Sequence, residues 1–289
     1  GTMSVNLPME TWEQLAPSFQ ADPARADELQ ALLDEYGKLP LDKVWPDFTF
    51  VGTWMSGTAG MLANAVRRRL PEKVKWIAES YGASEGMFTL PREFDTAVGP
   101  LATFVGYFEF LPLDGDGVPV SMTEVEDGKY YELIVTTYSG LYRYNLHDIV
   151  RVDGFTGDTA NIEFVCRSSD ILELRNKKLY GFEFLNLMEQ VQEESHCPMT
   201  IYQAYVEDGT LSVIVQPDNQ SCDSDALYAA LQDVMARNEI PMGNLYMMDK
   251  QYCATLFKSF TQFGRTTQTI KLPLIMKRKP FEELVKKIY

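Results

Sequence analysis

The stretch "YYELIVTTYSGLYRYNLHDIVRV", Tyr130–Val152, decides how the rest of the chain is read. Its first nine residues, Tyr130 to Tyr138, alternate in polarity and are rich in aromatic and β-branched side chains, the pattern of a half-buried strand. Ser139–Gly140 is a turn signal, "LYRY" begins a second strand, and "DIVRV" resumes it after a short break. Arg143, His147, Asp148 and Arg151 punctuate this otherwise structural run. An aspartate just past a strand end can accept hydrogen bonds from ligand hydroxyls such as a ribose diol. It can also just cap a turn, the plainer reading. On these residues alone both stay open.

Working outward, "ATFVGYFEFLPL", "YYELIVTTY", "LYRY", "DIVRV" and "IEFVCR" follow one another between Ala102 and Arg167, joined by "DGDG", "EDGK", "SG" and "GFTGD". Short strands with Gly- and Asp-rich turns imply an antiparallel meander or distorted barrel. Upstream, "DPARADELQALLDEYG" is a helix with Asp22 as N-cap, Pro23 in the first turn and Gly37 as stop. "FTFV" from Phe48, a glycine-rich turn, a helix from Met61 to Leu70 and "VKWIAES" from Val74 then read as a βαβ unit with parallel strands. Downstream of Arg167 the grammar becomes α+β. Strand "ILEL" and helix "FEFLNLMEQVQEE" precede strands "MTIYQAYVEDG" and "TLSVIVQP" and helix "SDALYAALQDVMARN". A strand "LYMMD", a short helix near "CATLFKSF", a strand "TIKLPLIM" and a last helix "KPFEELVKKIY" complete the series. The expected fold is therefore α/β plus α+β, divided into residues 1–166 and 167–289.

At 289 residues, 45% hydrophobic and 23% charged, the chain has the composition of an ordinary globular protein with a sizeable core. A net charge of -15 argues against a nucleic-acid surface and against anionic membranes. It leaves room for a nucleotide, which needs only a few local cations. Phe48 to Val66 carries no charge, but Gly, Ser, Thr and Asn recur through it, a poor composition for a membrane span. Cys166, Cys197, Cys222 and Cys253 are scattered without a CxxC pair. Neither zinc nor a disulfide framework is expected, and the cysteines fit small hydrophobes in a cytoplasmic protein.

Candidate chemistry sits in three places. In "ESYGASEGMF", a strand running into Gly82, Ala83 and Ser84 exposes backbone N–H groups that can meet an anion. Glu85 there could hold a magnesium ion bridging phosphate oxygens, or simply be a solvated turn residue. In "FGRTTQTIKLP", Gly264, Gln268 and Lys271 lie on a loop entering a strand; Lys271 could neutralise charge at a reacting carboxylate or phosphate, or be an edge-strand charge. Lys177, Lys178 and Arg167 cluster at the domain boundary, where surface charge is the plain alternative. His147 and His196 have no partner at metal-ligand spacing.

Taken in order, "VGTWMSG", "YGASEG", "YFEFLPL", "YELIVTTYSGLYRY", "HDIVRV", "FVCR" and the loop ending in Lys271–Pro273 resemble the auxin-responsive Gretchen Hagen type acyl acid–amido synthetases, members of the adenylate-forming superfamily. The resemblance runs from about Trp45 to Pro273. It implies the C-terminal part of a large adenylation domain, followed by a smaller mobile α+β domain pivoting at Arg167. It further implies that Asp148 binds the ribose of ATP or AMP, and that Arg143 belongs to the same motif. Tyr81, Gly82, Ser84 and Glu85 would form the loop near adenine and the Mg2+-phosphate end. Lys178 and Lys271 would be catalytic cations of the small domain.

The implied activity joins a carboxylic acid to an amine or amino acid through acyl-AMP. Two departures stand out. His147 replaces the family's usual glycine before the aspartate, so a differently shaped backbone is expected there. Family members are also about twice as long, so a missing N-terminal half with its phosphate loop is expected, and this chain alone would be inactive. The competing expectation is a stand-alone nucleotide- or partner-binding module without catalysis.

Overall fold

The structure, a computed structural model, describes residues 9–18, 20–37, 39–218, 222–248, 252, 255, 273–276 and 285–287. Its contacts divide the chain into two units, Gly1–Phe48 with Arg69–Pro71, and Thr49–Arg68 with Glu72–Tyr289.

The first unit contains helices α1 (Met9–Leu15), α2 (Pro23–Tyr36) and α3 (Leu41–Val44). Helix α2 starts and stops where its capping residues require. The Arg25 N–H donates to the Asp22 carboxylate at 3.0 Å, and Gly37 closes the last turn at φ 66°, its N–H donating to the Leu33 carbonyl.

The second unit opens with a parallel pair, β1 (Phe50–Thr53) and β2 (Lys75–Ala78), connected by α4 (Gly57–Arg67). This is the expected βαβ unit. The helix begins four residues before the sequence placed it, because two glycines are used for close approach rather than for a turn. A Cβ on Gly60 would lie 2.7 Å from the Met55 carbonyl oxygen, and Gly57, at φ 56°, lies against Phe164 and Val165. No described helix is long and apolar enough to cross a membrane.

A two-residue-turn hairpin follows, β3 (Gly82–Ala83) and β4 (Gly86–Met87). Then comes the meander: β5 (Gly99–Pro100), β6 (Gly106–Pro112), β7 (Val120–Ser121), β8 (Tyr130–Thr137), β9 (Tyr144–Thr156) and β10 (Thr159–Arg167). Their spatial order is β5-β10-β9-β8-β6-β7, every pairing antiparallel. Alternate residues of these strands, including Phe108, Phe110, Leu133, Val135, Val150, Val152 and Ile162, meet in one core with Phe88 and Leu101. The second half of the opening stretch differs from expectation. "LYR" belongs to the turn, with Arg143 at φ 48°, and β9 runs unbroken from Tyr144 through Asp148. Register shifts against β8 and β10 absorb the irregularity that reads as a break in the sequence.

Beyond Arg167 lie the hairpin β11 (Ile171–Glu173) and β12 (Lys178–Tyr180), helix α5 (Gly181–Ser195), strands β13 (Met199–Glu207) and β14 (Thr210–Pro217), helix α6 (Ser224–Arg237) and β15 (Met242–Met248). β16 (Ile275–Met276) and β17 (Val285–Lys287) complete a five-stranded sheet of order β16-β13-β14-β15-β17. Helices α5 and α6 cover it through Phe184, Leu187, Met188, Val191, Leu227, Leu231 and Val234. Each such fully buried side chain contributes about 1.5–3 kcal/mol. The expected last helix is overturned at residues 285–287, which form a strand antiparallel to β15. Its Glu- and Lys-rich pattern favours a helix locally, but pairing with a free sheet edge outweighs propensities of a few tenths of a kcal/mol, ~0.5 per residue. The expected helix near "CATLFKSF" and most of the strand "TIKLPLIM" lie outside the described residues.

The cysteine expectation is corrected too. Cys197, at the entrance to β13, and Cys222, just before α6, are joined in a disulfide with Cα atoms 5.1 Å apart. Spacing along the chain could not reveal it, because the two meet only when α5 and α6 pack. Cys166 is free and buried. Burial pushes its thiol up to about 12. At pH 8 its thiolate is then about 10³-fold scarcer than that of an ordinary cysteine. Cys166 is expected to resist maleimide in the folded protein and to react promptly in guanidinium, which mass-mapped labelling measures; equal rates in both states would contradict this burial.

Candidate functional site

Tyr81 and Asp148, 67 residues apart in sequence, meet in the second unit. The Tyr81 hydroxyl donates to Asp148 Oδ2 at 2.8 Å. Both ends of this contact are held firmly. The Tyr81 N–H donates to the buried Thr89 hydroxyl at 2.9 Å, and its carbonyl accepts from the Phe88 N–H at 2.7 Å. The Tyr81 ring stacks on Phe164 at 5.4 Å and meets the edge of Phe88 at 5.3 Å. Asp148 is a strand residue, paired in register with Arg167 of β10, and is only 5% exposed. Arg167 Nε lies 3.7 Å from Asp148 Oδ1, while its own side chain is mostly exposed.

Charge organises the cluster. Burial, the Asp148 carboxylate and the hydrogen bond to it hold the Tyr81 hydroxyl well above the usual phenol range, so it stays a donor; Arg167 opposes this and Glu85 adds to it. A carboxylate beside a fixed hydroxyl and a guanidinium still has acceptor capacity, since its two oxygens offer about four lone-pair sites. Such a group can accept from a diol. Arg167, the exposed member, is the side chain that would move aside to admit one.

His147, immediately before Asp148, adopts φ 55°. That left-handed conformation is the one glycine takes most easily and histidine tolerates more often than bulky residues. The Asn145 side chain accepts from its N–H at 2.7 Å, and its carbonyl accepts from the Ser168 N–H at 2.8 Å. The histidine therefore sits in a left-handed backbone conformation that glycine would adopt at less cost.

The structure thus brings together Tyr81, Glu85, Asp148 and Arg167. Gly82 lies in β3, and Ser84 with Glu85 forms the hairpin turn, with Ser84 exposed. Lys178 faces Glu173 across the β11–β12 hairpin at 3.9 Å, both exposed, instead of joining the four. Arg143 makes a two-pronged ion pair with Glu109 of β6, at 2.9 Å through each nitrogen. Lys271, Gly264 and Gln268 lie outside the described residues. Among the described residues no group of three or more His, Cys, Asp or Glu could hold a metal ion. Glu85 offers a single carboxylate, which suits a cation that takes its other ligands from phosphates and water. Sequence reasoning missed Phe164; "FVCR" contains it, but only the packing against Tyr81 gives it a part.

Residues 99–167 match the GH3 family central domain. The chain is 33% identical over 192 residues to the jasmonoyl–L-amino acid synthetase GH3.5 of Oryza sativa subsp. japonica, covering 57% of this chain and 32% of that protein. It is 35% identical over 178 residues to jasmonoyl–L-amino acid synthetase JAR6 of Nicotiana attenuata, covering 55% of this chain and 30% of the relative. The chain spans about a third of the length of these curated relatives. Among solved structures, a GH3.15 acyl acid amido synthetase superposes with TM-score 0.71 at 20% identity, over 88% of this chain and 52% of the other. The fold of this chain is that of about half of that solved structure.

Proposed function

We propose that this chain, which carries a GH3 family central domain at residues 99–167, is part of an ATP-dependent ligase that joins a carboxylic acid to an amine through an acyl adenylate. The observation that carries the reading is the Tyr81–Asp148 hydrogen bond, which ties the "YGASEG" hairpin to the central-domain strand β9. In the first step a carboxylate oxygen attacks the α-phosphorus of ATP and pyrophosphate leaves. In the second, the amine nitrogen attacks the acyl carbon, the bond to AMP breaks, and the nitrogen loses a proton.

This chain's residues hold the nucleotide. Asp148 accepts from the ribose hydroxyls, Tyr81 and Phe164 offer a ring platform beside the base, and the backbone of Gly82 to Ser84 faces the phosphates. Mg2+, held through Glu85 and the phosphates, would offset phosphate charge. Lys271 and Lys178 would supply cationic charge to the reacting groups in a closed state. Residues 167–289 would move against residues 1–166 about Arg167, whose release from Asp148 opens the ribose site. The protein would act on small carboxylic acids and amines or amino acids, with the phosphate loop supplied by a portion corresponding to the rest of the relatives' length.

AMP titrated calorimetrically into this chain should bind, and ATP with a carboxylic acid should release no pyrophosphate from it. Absence of AMP binding would sink the nucleotide assignment. Robust pyrophosphate release would sink the idea that a further portion is needed.

A further inference from the structure

Phe164, whose ring stacks on Tyr81, also lines a cavity of about 290 Å3, which the nucleotide reading leaves unused. That volume is at the small end for ligand sites, suited to something of amino-acid size. Its walls come from α4, β8, β9, β10, α5 and β13. The floor is Tyr202, only 4% exposed, its ring locked edge-on against Phe184 at 6.0 Å. The Tyr202 hydroxyl makes no hydrogen bond to a described residue and, unlike its buried ring, keeps contact with solvent. Glu189 and Arg68 are its charged neighbours.

The two signs of charge on these walls are not equally committed. Arg68 is held by Asp218 at 2.8 Å and by the Met199 carbonyl at 2.8 Å. Arg151 is held by Asp153 at 2.6 Å and reaches Glu163 only at 3.6 Å. Glu189 has no ion pair among the described residues. The cations are thus satisfied while Glu163 and Glu189 are under-compensated, and burial raises the Glu163 carboxyl above its ordinary value. A partly desolvated Glu163, with Glu189 at the cavity mouth and a hydroxyl free to accept, calls for a cation that can also donate hydrogen bonds. Met55, Met61 and Leu185 add apolar wall for an aliphatic portion.

We propose that this cavity binds a small organic ammonium, an amino acid or its amide, with the –NH3+ group against Glu163, Glu189 and the Tyr202 hydroxyl. It deepens the reading above by giving the amine substrate a place one ring away from Tyr81, and only its role in transfer, not the binding itself, rests on that reading.

Calorimetry with leucinamide, against neutral N-acetyl-leucinamide as control, tests it on the whole chain. Leucinamide should bind and the acetylated probe should not. Tyr202→Phe and Glu189→Gln should each weaken leucinamide about tenfold, the scale of one hydrogen bond to a charged group. Both variants should melt like the parent, since one keeps the buried ring and the other alters a surface-facing carboxylate. Equal binding of the two probes, or unchanged binding in both variants, would overturn the proposal. An AMP titration run alongside separates the two ideas. AMP binding without leucinamide binding removes only the ammonium site, and the converse removes only the nucleotide reading.

Discussion

Asp148→Ala is expected to weaken AMP binding by about 10²-fold or more. Two hydrogen bonds from ribose hydroxyls to a carboxylate, each contributing about 1.5–3 kcal/mol, set that scale. The same substitution strips the Tyr81 hydroxyl of its acceptor and Arg167 of its counter-charge. Part of the loss could therefore come from a disturbed loop, and Tyr81→Phe isolates that part. It keeps the ring stacked on Phe164 and leaves the carboxylate in place, so AMP affinity should fall tenfold or less. Calorimetric titration of both variants, with melting curves to show that each is folded, makes the measurement. If Asp148→Ala binds AMP like the parent, the aspartate only pairs with Tyr81 and Arg167 and the ribose assignment is lost.

The Cys197–Cys222 disulfide is expected to stabilise the second unit by about 3 kcal/mol. It closes a loop of 25 residues, and loop-closure entropy removed from the unfolded chain gives that magnitude. Cys222→Ser is the cleaner variant, because Cys197 is fully buried in the core beneath α5 and α6 and a serine there would add an unpartnered hydroxyl. Unfolding in guanidinium should show a lower midpoint for Cys222→Ser, matched by the parent protein under dithiothreitol and unaffected by adding dithiothreitol to the variant. Identical midpoints for the oxidised and reduced parent would remove the cross-link from the account of stability.

What could be read from the sequence depended on how local its cause was. The meander was legible because alternation and Gly-rich turns act within ten residues, and α2 because Asp22 and Gly37 cap it directly. The start of α4 was misplaced because Gly57 and Gly60 look like turn residues until Phe164 and the Met55 carbonyl are seen against them. Val285–Lys287 reads as helix because the sheet edge it joins belongs to β15, some forty positions earlier. The site followed the same rule. Asp148 and the "YGASEG" loop were singled out by motif, whereas Phe164 and Tyr202 matter only through rings and cavities assembled from distant elements. The position before Asp148 is a local case of another kind: the φ 55° of His147 is a left-handed conformation that its own side chain does not favour, and only the backbone geometry reveals it.

The order β16-β13-β14-β15-β17 carries a consequence for how the protein is made. The three inner strands, with α5 and α6, lie between residues 181 and 248 and are complete in themselves when a ribosome has released that stretch. The segments that flank them, Ile275–Met276 and Val285–Lys287, are synthesised later yet add to opposite margins. At about 5–20 residues per second, the nascent sheet spends roughly 1–6 seconds with both margins unpaired. Open strand margins are templates for pairing with other chains. Newly synthesised copies are therefore most prone to associate during that interval, and slowing translation just after residue 248 should lower the soluble yield.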